Sequence, residues 1–407
     1  MTTSVSPAGE RLLSGRTWLR IDLCRFEANA AWWIRRLSAV GSNLCAVVKS
    51  NAYGLGAVPL SQRMAKLGVP MFAVYTPDES RELIDAGITQ PILIFTPVRD
   101  LQVSDALAVH VRSGQVQFAL HDAVQLDQLN AVGKRLNCRV TAHLYHDTGM
   151  SRGGFDDAAL AEVVARLAQT PNVRVGALYT HFACADCDAD VTASQFARFD
   201  AAWARHNDTL GPNVIRHAAN TYAATRDRRY VTDMARVGLG LWGYGTELLP
   251  DDDRPLPIAR WMTRIAQIQR LPKGAGVGYE HTRHLKRDST LGIAPVGYSS
   301  GYPITLSNNA VVGVASPPPP PKNADPQSTD PDKPAGYAPV IGKVNMEQLI
   351  LDLTDLPWAR IGCHVELISD DPHSPCAMET LAKQAQSSCY EMLCRIHPSV
   401  TRHYVAG

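Results

Sequence analysis

The stretch Ala46-Val47-Val48-Lys49-Ser50-Asn51-Ala52-Tyr53-Gly54-Leu55-Gly56 closes a compact apolar run, Leu44 to Val48, with a lysine and then a loop rich in Asn and Gly. A short apolar run bounded by such a loop reads as a buried strand. Similar runs recur at 71–74, 91–95 and 175–178, and amphipathic segments at 57–67, 78–86, 122–136, 156–169 and 192–209 lie between and around them. Strand and helix alternating at this spacing implies parallel β units. Roughly eight such units fit between residues 18 and 250, which favours a (β/α)8 barrel over an open sheet. In a parallel barrel, chemistry sits at the C-terminal ends of the strands. A lysine held there among apolar residues is partly desolvated, and a desolvated amine is a nucleophile suited to forming a Schiff base. An isolated strand-end lysine is more often one that reaches out to solvent along its stem.

Beyond about residue 255 the texture changes. Val, Ile and Thr become dense and Gly and Pro punctuate short segments at 261–270, 290–297, 310–315, 339–344, 348–353 and 364–369. This predicts a C-terminal, mainly β-strand domain over 254–407, after a barrel over 17–253 and a loose N-terminal tail over 1–16. The first strand is also open to pairing with the C-terminal domain. Residues 316–336 include five consecutive prolines and read as a Pro-rich surface loop between two strands.

The 407 residues suit two domains, and 45% hydrophobic with 19% charged residues exclude wholesale disorder. A net charge of +1 points to no nucleic-acid partner. No run of about 18 apolar residues predicts a membrane span, and residues 1–16 hold no signal-peptide core. Nine scattered cysteines read as reduced thiols of a cytoplasmic protein. Cys184 and Cys187 form C-x-x-C, but no second pair completes a zinc set, so no metal site is expected.

Several further segments carry polar side chains in suggestive company: Trp18 to Asn29, Asp147 to Gly153 (DTGMSRG), His181-Phe182-Ala183, His217-Ala218-Ala219-Asn220-Thr221, and Ala235 to Gly243 (ARVGLGLWG). Gly278-Tyr279, Gly297-Tyr298, Asn345-Met346-Glu347 and Tyr390-Glu391 follow. Together with the lysine segment, and in the same order over nearly the whole chain, they resemble the motifs of the alanine racemase family, pyridoxal-phosphate enzymes of fold type III. One such match is weak, whereas the ordered series is highly specific.

The resemblance implies the following roles. Lys49 carries pyridoxal 5'-phosphate. Tyr53, Thr221 and Tyr390 offer hydroxyls to its phosphate, and the Gly238-Leu239 backbone adds N–H donors. His181 lies against the pyridine ring, Arg236 donates to the pyridine nitrogen, and Asn220 and His217 orient neighbours. Arg152 approaches the ring oxygen and the substrate carboxylate, with Met346 and Tyr298 on the substrate side. Lys49 and Tyr279, the latter from the other chain of a homodimer with shared active sites, serve as bases on opposite faces of the amino acid. The implied activity is interconversion of L- and D-alanine, supplying D-alanine for peptidoglycan. Alternatives are a racemase of broader specificity (serine, lysine or arginine), an amino-acid decarboxylase on the same cofactor and barrel, and a non-catalytic cofactor carrier. Arg236 and the lack of a reactive-cysteine motif near the C-terminus oppose the decarboxylase. Departures from the family pattern are Leu55 for histidine, Tyr145 for a lysine that is often carbamylated, Ser300 for aspartate, Ile304 for arginine and Glu347 for aspartate. They put strict alanine preference and rate in doubt.

Overall fold

The computed structural model describes residues 17–99, 105–317 and 332–406. The tail over 1–16 and the greater part of the Pro-rich stretch, 318–331, lie outside them. The chain divides into two compact units: Cys24–Pro257, and the residues up to Leu23 together with those from Ile258 onward.

The Cys24–Pro257 unit is built on eight parallel strands: β2 (Asn43–Val47), β3 (Met71–Val74), β4 (Ile92–Ile94), β5 (Val116–Leu120), β6 (Val140–Tyr145), β7 (Val173–Tyr179), β8 (Ile215–His217) and β9 (Met234–Val237). They pair in the order β8-β7-β6-β5-β4-β3-β2-β9. The β8–β9 seam is closed by side chains instead of a ladder. Arg236 donates to the carbonyl of His217, Asp233 accepts from the Arg216 amide, and Thr232 donates to the Arg216 carbonyl. The result is a nearly closed barrel with helices around it. Helix starts follow local chemistry. Thr76 and Glu79 form a reciprocal capping box at Pro77–Asp85, and Asp122, Asp156 and Asp188 cap Ala123–Leu136, Asp157–Arg166 and Ala189–Leu210.

Alternation decides which side chains enter the barrel. Cys45 and Val47 of β2 pack with Met71, Ala73, Leu93, Ala119, Tyr145, Tyr179 and Met234 in one buried cluster. Burial of each larger aliphatic there stabilises the fold by about 1.5–3 kcal/mol. The next inward position on β2 is Lys49, and the next after Met234 on β9 is Arg236.

The other unit holds a six-stranded sheet in the order β16-β15-β18-β10-β1-β19. Its members are β1 (Thr17–Asp22), β10 (Ala259–Arg264), β15 (Val311–Ala315), β16 (Pro334–Pro339), β18 (His364–Ile368) and β19 (Thr401–Val405). β1 is antiparallel to β10 and parallel to β19. A second sheet joins β11 (Gln267–Leu271), β14 (Ser289–Ala294) and β17 (Leu349–Asp352), and β12 (Gly276–Val277) pairs with β13 (Arg283–His284) in a two-stranded ribbon. Three readings of this half need correction. The run 261–270 is two strands in different sheets. The strand expected at 339–344 lies earlier, at Pro334–Pro339, so the Pro-rich loop ends before residue 334 and not at 336. Two short helices, Met378–Gln384 and Cys389–Arg395, were not anticipated.

Candidate active site

The lysine loop takes an unusual shape. Ser50, Asn51, Ala52 and Tyr53 all have positive φ, 54°, 54°, 52° and 57°, so four consecutive non-glycine residues make a left-handed turn directly after Lys49. Each such residue costs roughly 1–2 kcal/mol in sterics. Two side chains help hold the turn: Glu79 accepts from the Ser50 amide at 2.6 Å, and Asn51 accepts from the Ala57 amide at 2.7 Å. Gly54, at φ 83°, ends it. The outcome is a partly buried Lys49 at the end of β2, with the Tyr53 ring turned inward and buried.

Tyr53 then meets a polar cradle. Thr221 Oγ1 accepts from the Gly238 and Gly240 amides at 3.4 and 3.3 Å. A Cβ on Gly238 would collide with the Tyr53 hydroxyl, and one on Gly240 would lie 2.6 Å from the Trp33 ring. Glycine is needed so that backbone N–H groups, a threonine hydroxyl and a phenol can converge on one spot. That donor set suits a phosphate. Leu239 is buried beside it. The Asn220 side chain is engaged as a cap, accepting from the Ala223 amide at 3.0 Å.

Arg236 is buried, with 3% of its surface exposed. One terminal nitrogen donates to His217 Nδ1 (2.8 Å) and to the His217 carbonyl (2.7 Å). The other reaches the Thr180 and Ala218 carbonyls at 2.6 and 3.1 Å and His181 Nδ1 at 3.3 Å. Among the described residues no carboxylate pairs with it, and its Nε–H makes no hydrogen bond. A donor left over on a well-anchored cation suits an acceptor that has no proton of its own. Rings stack beside it: Tyr145 on Tyr179 at 4.7 Å, and Tyr179 on His217 at 4.8 Å. The guanidinium carbon lies 5.3 Å from the Tyr179 centroid. Burial, and then the charges of Arg236, Arg152 and Lys49, hold the His181 imidazole well below its ordinary pKa. It is therefore neutral and able to accept from Arg236.

Arg152 is exposed and follows Ser151, itself at φ 54°. Its loop is organised by Asp147, whose carboxylate accepts from the Gly149, Met150 and Ser151 amides. Tyr145, standing where a lysine was expected, has a buried hydroxyl with no hydrogen-bond partner among the described residues. Burial pushes its phenol up, opposed first by the Arg152 charge.

The remaining candidates sit in the other unit. Tyr279, Tyr298, Met346 and Tyr390 are 69%, 42%, 57% and 36% exposed. Three of them share one loop cluster. The Tyr298 amide donates to the Asn345 carbonyl, and Ser299 donates to the Met346 carbonyl through both its amide and its hydroxyl. Asn308 donates to Thr282 and accepts from the Gly342 amide, tying the Tyr279 loop to the one that leads to Met346. Tyr390 lies on the short helix Cys389–Arg395.

Comparison with family models assigns residues 21–246 to "Alanine racemase, N-terminal domain" and 258–404 to "Alanine racemase, C-terminal domain". The chain belongs to the alanine racemase family. It is 32% identical to the alanine racemase of Desulfovibrio desulfuricans over 95% of this chain and 98% of that one. It is 30% identical to that of Methylacidiphilum infernorum over 99% and 96%. Among solved structures it is similar to alanine racemase from Streptomyces lavendulae, with TM-score 0.85, 28% identity, and 97% of this chain and 98% of that one covered. It also shares the fold of the Bartonella henselae enzyme, solved with covalently bound pyridoxal phosphate, with TM-score 0.81, 22% identity, and 96% and 100% covered. Alanine racemases are isomerases.

Within this alanine racemase fold, sequence reasoning missed three supporting side chains. Gln195, buried in the helix after His181, accepts from the Ala183 amide at 2.9 Å and donates to the His181 carbonyl at 3.3 Å. Glu79 supports the lysine turn; the T-P-D-E capping box at 76–79 was a legible signal for the helix start but not for this second duty. His143, on β6, is hydrogen-bonded to His217; its alternation with Tyr145 was the available clue. The nine cysteines, Cys184 and Cys187 included, are free thiols. No metal-binding group of His, Cys, Asp or Glu occurs among the described residues, and no described helix is long and apolar enough to cross a membrane.

Proposed function

We propose that this protein interconverts L- and D-alanine using pyridoxal 5'-phosphate. The observation that carries the reading is the left-over Nε–H of buried Arg236, in the same barrel as a strand-end lysine and a hydroxyl-and-amide cradle. When bound, the cofactor supplies an electron sink that acidifies the α-C–H of an attached amino acid. Lys49 would hold it covalently. Tyr53, Thr221, the Gly238-Leu239 backbone and Tyr390 would hold its phosphate, with Asn220 fixing the start of the helix that carries Thr221. His181 would face the ring.

Arg236 would donate to the pyridine nitrogen. Because arginine holds its proton, it would leave that nitrogen unprotonated and so would temper the cofactor's electron withdrawal. Proton return to the α-carbon is then favoured over loss of the amino group. Arg152 suits the substrate carboxylate as a guanidinium fork, with Met346 and Tyr298 beside it. Lys49 and Tyr279 would take and return the α-proton on opposite faces, with Tyr279, Tyr298 and Met346 supplied by the second chain of a homodimer. We assign the protein to the cytoplasm and its product to cell-wall peptidoglycan.

The test is incubation with L-alanine in deuterated water. D-alanine carrying α-deuterium is expected. Release of carbon dioxide would replace this reading with a decarboxylase, and absence of both with a cofactor carrier. L-serine, L-lysine and L-arginine, run alongside, define breadth. Borohydride treatment followed by peptide mapping should place the pyridoxyl group on Lys49, and a tag elsewhere would overturn the assignment.

A further inference from the structure

Behind Arg236 runs a line of hydrogen bonds that the proposed chemistry does not itself require. Arg236 donates to His217 Nδ1 at 2.8 Å, His217 Nε2 lies 2.9 Å from His143 Nδ1, and His143 Nε2 lies 2.7 Å from Gln117 Oε1. Gln117 Nε2 donates to the Gly114 carbonyl at 2.9 Å. The four residues come from β9, β8, β6 and β5 and cross the barrel toward its N-terminal face.

The direction of this line follows from elementary inventory. Arginine only donates, so His217 Nδ1 must be bare and its single proton must sit on Nε2. His143 Nδ1 then has to accept, which puts the His143 proton on Nε2, facing Gln117. The far end agrees independently. The Gln117 amide nitrogen is spoken for by the Gly114 carbonyl, so its oxygen is the atom turned toward His143. Adding a proton to either ring would set two N–H groups against each other. The surroundings oppose such a proton. His143 faces Arg236 and His217 inside the barrel, and a cavity of about 550 Å³ on its other side is lined by Arg139 and Arg174 but by no carboxylate. Burial, then Arg236, lower the His143 pKa to about 3, and burial, Arg236 and His143 lower that of His217.

We propose that Gln117 and His143 are positioning residues, which hold His217 in its one usable tautomer and thereby keep the Arg236 guanidinium turned with its Nε–H toward the cofactor. The consequence for the ring nitrogen rests on the function proposed above; the polarity of the line does not. Hydrogen bonds aligned donor to acceptor reinforce one another in a low-dielectric interior.

The test is ¹⁵N-histidine NMR on the full-length protein, with and without added pyridoxal phosphate, for wild type, Gln117→Leu, Gln117→Glu and His143→Leu. Thermal unfolding identifies variants that fail to fold. In the wild type, both rings should be neutral Nε2–H tautomers that do not titrate between about pH 5 and 9. Gln117→Glu keeps the acceptor but adds a charge that favours a second proton on His143. An acid-side titration of His143 should then appear, and the visible absorbance of the bound cofactor and kcat should change with the same midpoint. Gln117→Leu and His143→Leu should each lower kcat by about 10-fold with little change in KM. A proton on His217 Nδ1, a charged His143 in the wild type, or a Gln117→Glu titration that leaves absorbance and kcat unmoved would each overturn the proposal. A protein that binds no pyridoxal phosphate would sink the proposed function instead, while the cofactor-free spectra still decide the polarity of the line.

Discussion

The candidate residues of the two units differ most in burial. In the Cys24–Pro257 unit, Tyr53, Thr221 and Arg236 are enclosed. In the other unit, Tyr279, Tyr298 and Met346 stand exposed on loops that are tied to one another. Exposed large side chains on ordered loops suit a surface that completes its task with another molecule. Under the proposed function, the candidates of the first unit are complete within a single chain, and those of the second are presented to a partner. Loading the cofactor should depend on the first unit, and inversion of the substrate on both.

The strongest way to break that comparison is Lys49→Ala. Racemisation should fall by at least about 10⁴-fold and the visible absorbance of bound cofactor should vanish. Retention of that band would move the covalent link to another lysine. Next is Tyr279→Phe. Inversion should slow by about 10²–10⁴-fold while cofactor content and melting temperature stay put. L- and D-alanine are equal in energy, so kcat/KM must fall equally from both sides. The discriminating measurement is α-hydrogen exchange with solvent. One enantiomer should keep exchanging with retention of configuration; equal loss from both would argue against a face-specific base.

A substitution aimed at the first unit should do the reverse. Gly238→Ala drives a methyl against Tyr53 and should cost about 1–3 kcal/mol of stability along with cofactor affinity. An unchanged melting temperature and cofactor affinity would show that the cradle has slack. A further way to sharpen the comparison is acid stability. Folded-state pKa values of His143, His181 and His217 are all depressed, so the unfolded chain binds more protons below the ordinary histidine pKa of about 6.5. Stability should be full above that pH and decline as pH falls, by up to about 1.4 kcal/mol per pH unit for each histidine. Denaturant unfolding at pH 7 and pH 5 measures it, and a flat profile would mean that these rings are charged in the native state.

Much of the barrel was legible because its strands are short apolar runs with capped helices between them, as at 71–74 and Pro77–Asp85. The lysine motif at 46–56 was legible because its residues are contiguous. What escaped was set by distance along the chain. Gln117, His143, His217 and Arg236 meet only through strand order and inward alternation, neither of which a local window displays. β19 (TRHYV) alternates weakly and carries three charged or titratable residues, so only its parallel pairing with β1 reveals it as a strand. The left-handed turn escaped because Ser-Asn-Ala-Tyr has no glycine to announce positive φ.

That turn also bears on assembly. A free chain has no reason to coil the wrong way over four residues, since Glu79 and the helix that begins at Ala57 must already be in place to hold it. Until then Lys49 is an ordinary flexible lysine with no special claim on an aldehyde. Capture of the cofactor should therefore lag behind formation of the surrounding strands, and the growth of its colour during refolding would time the last local step of folding and not the first.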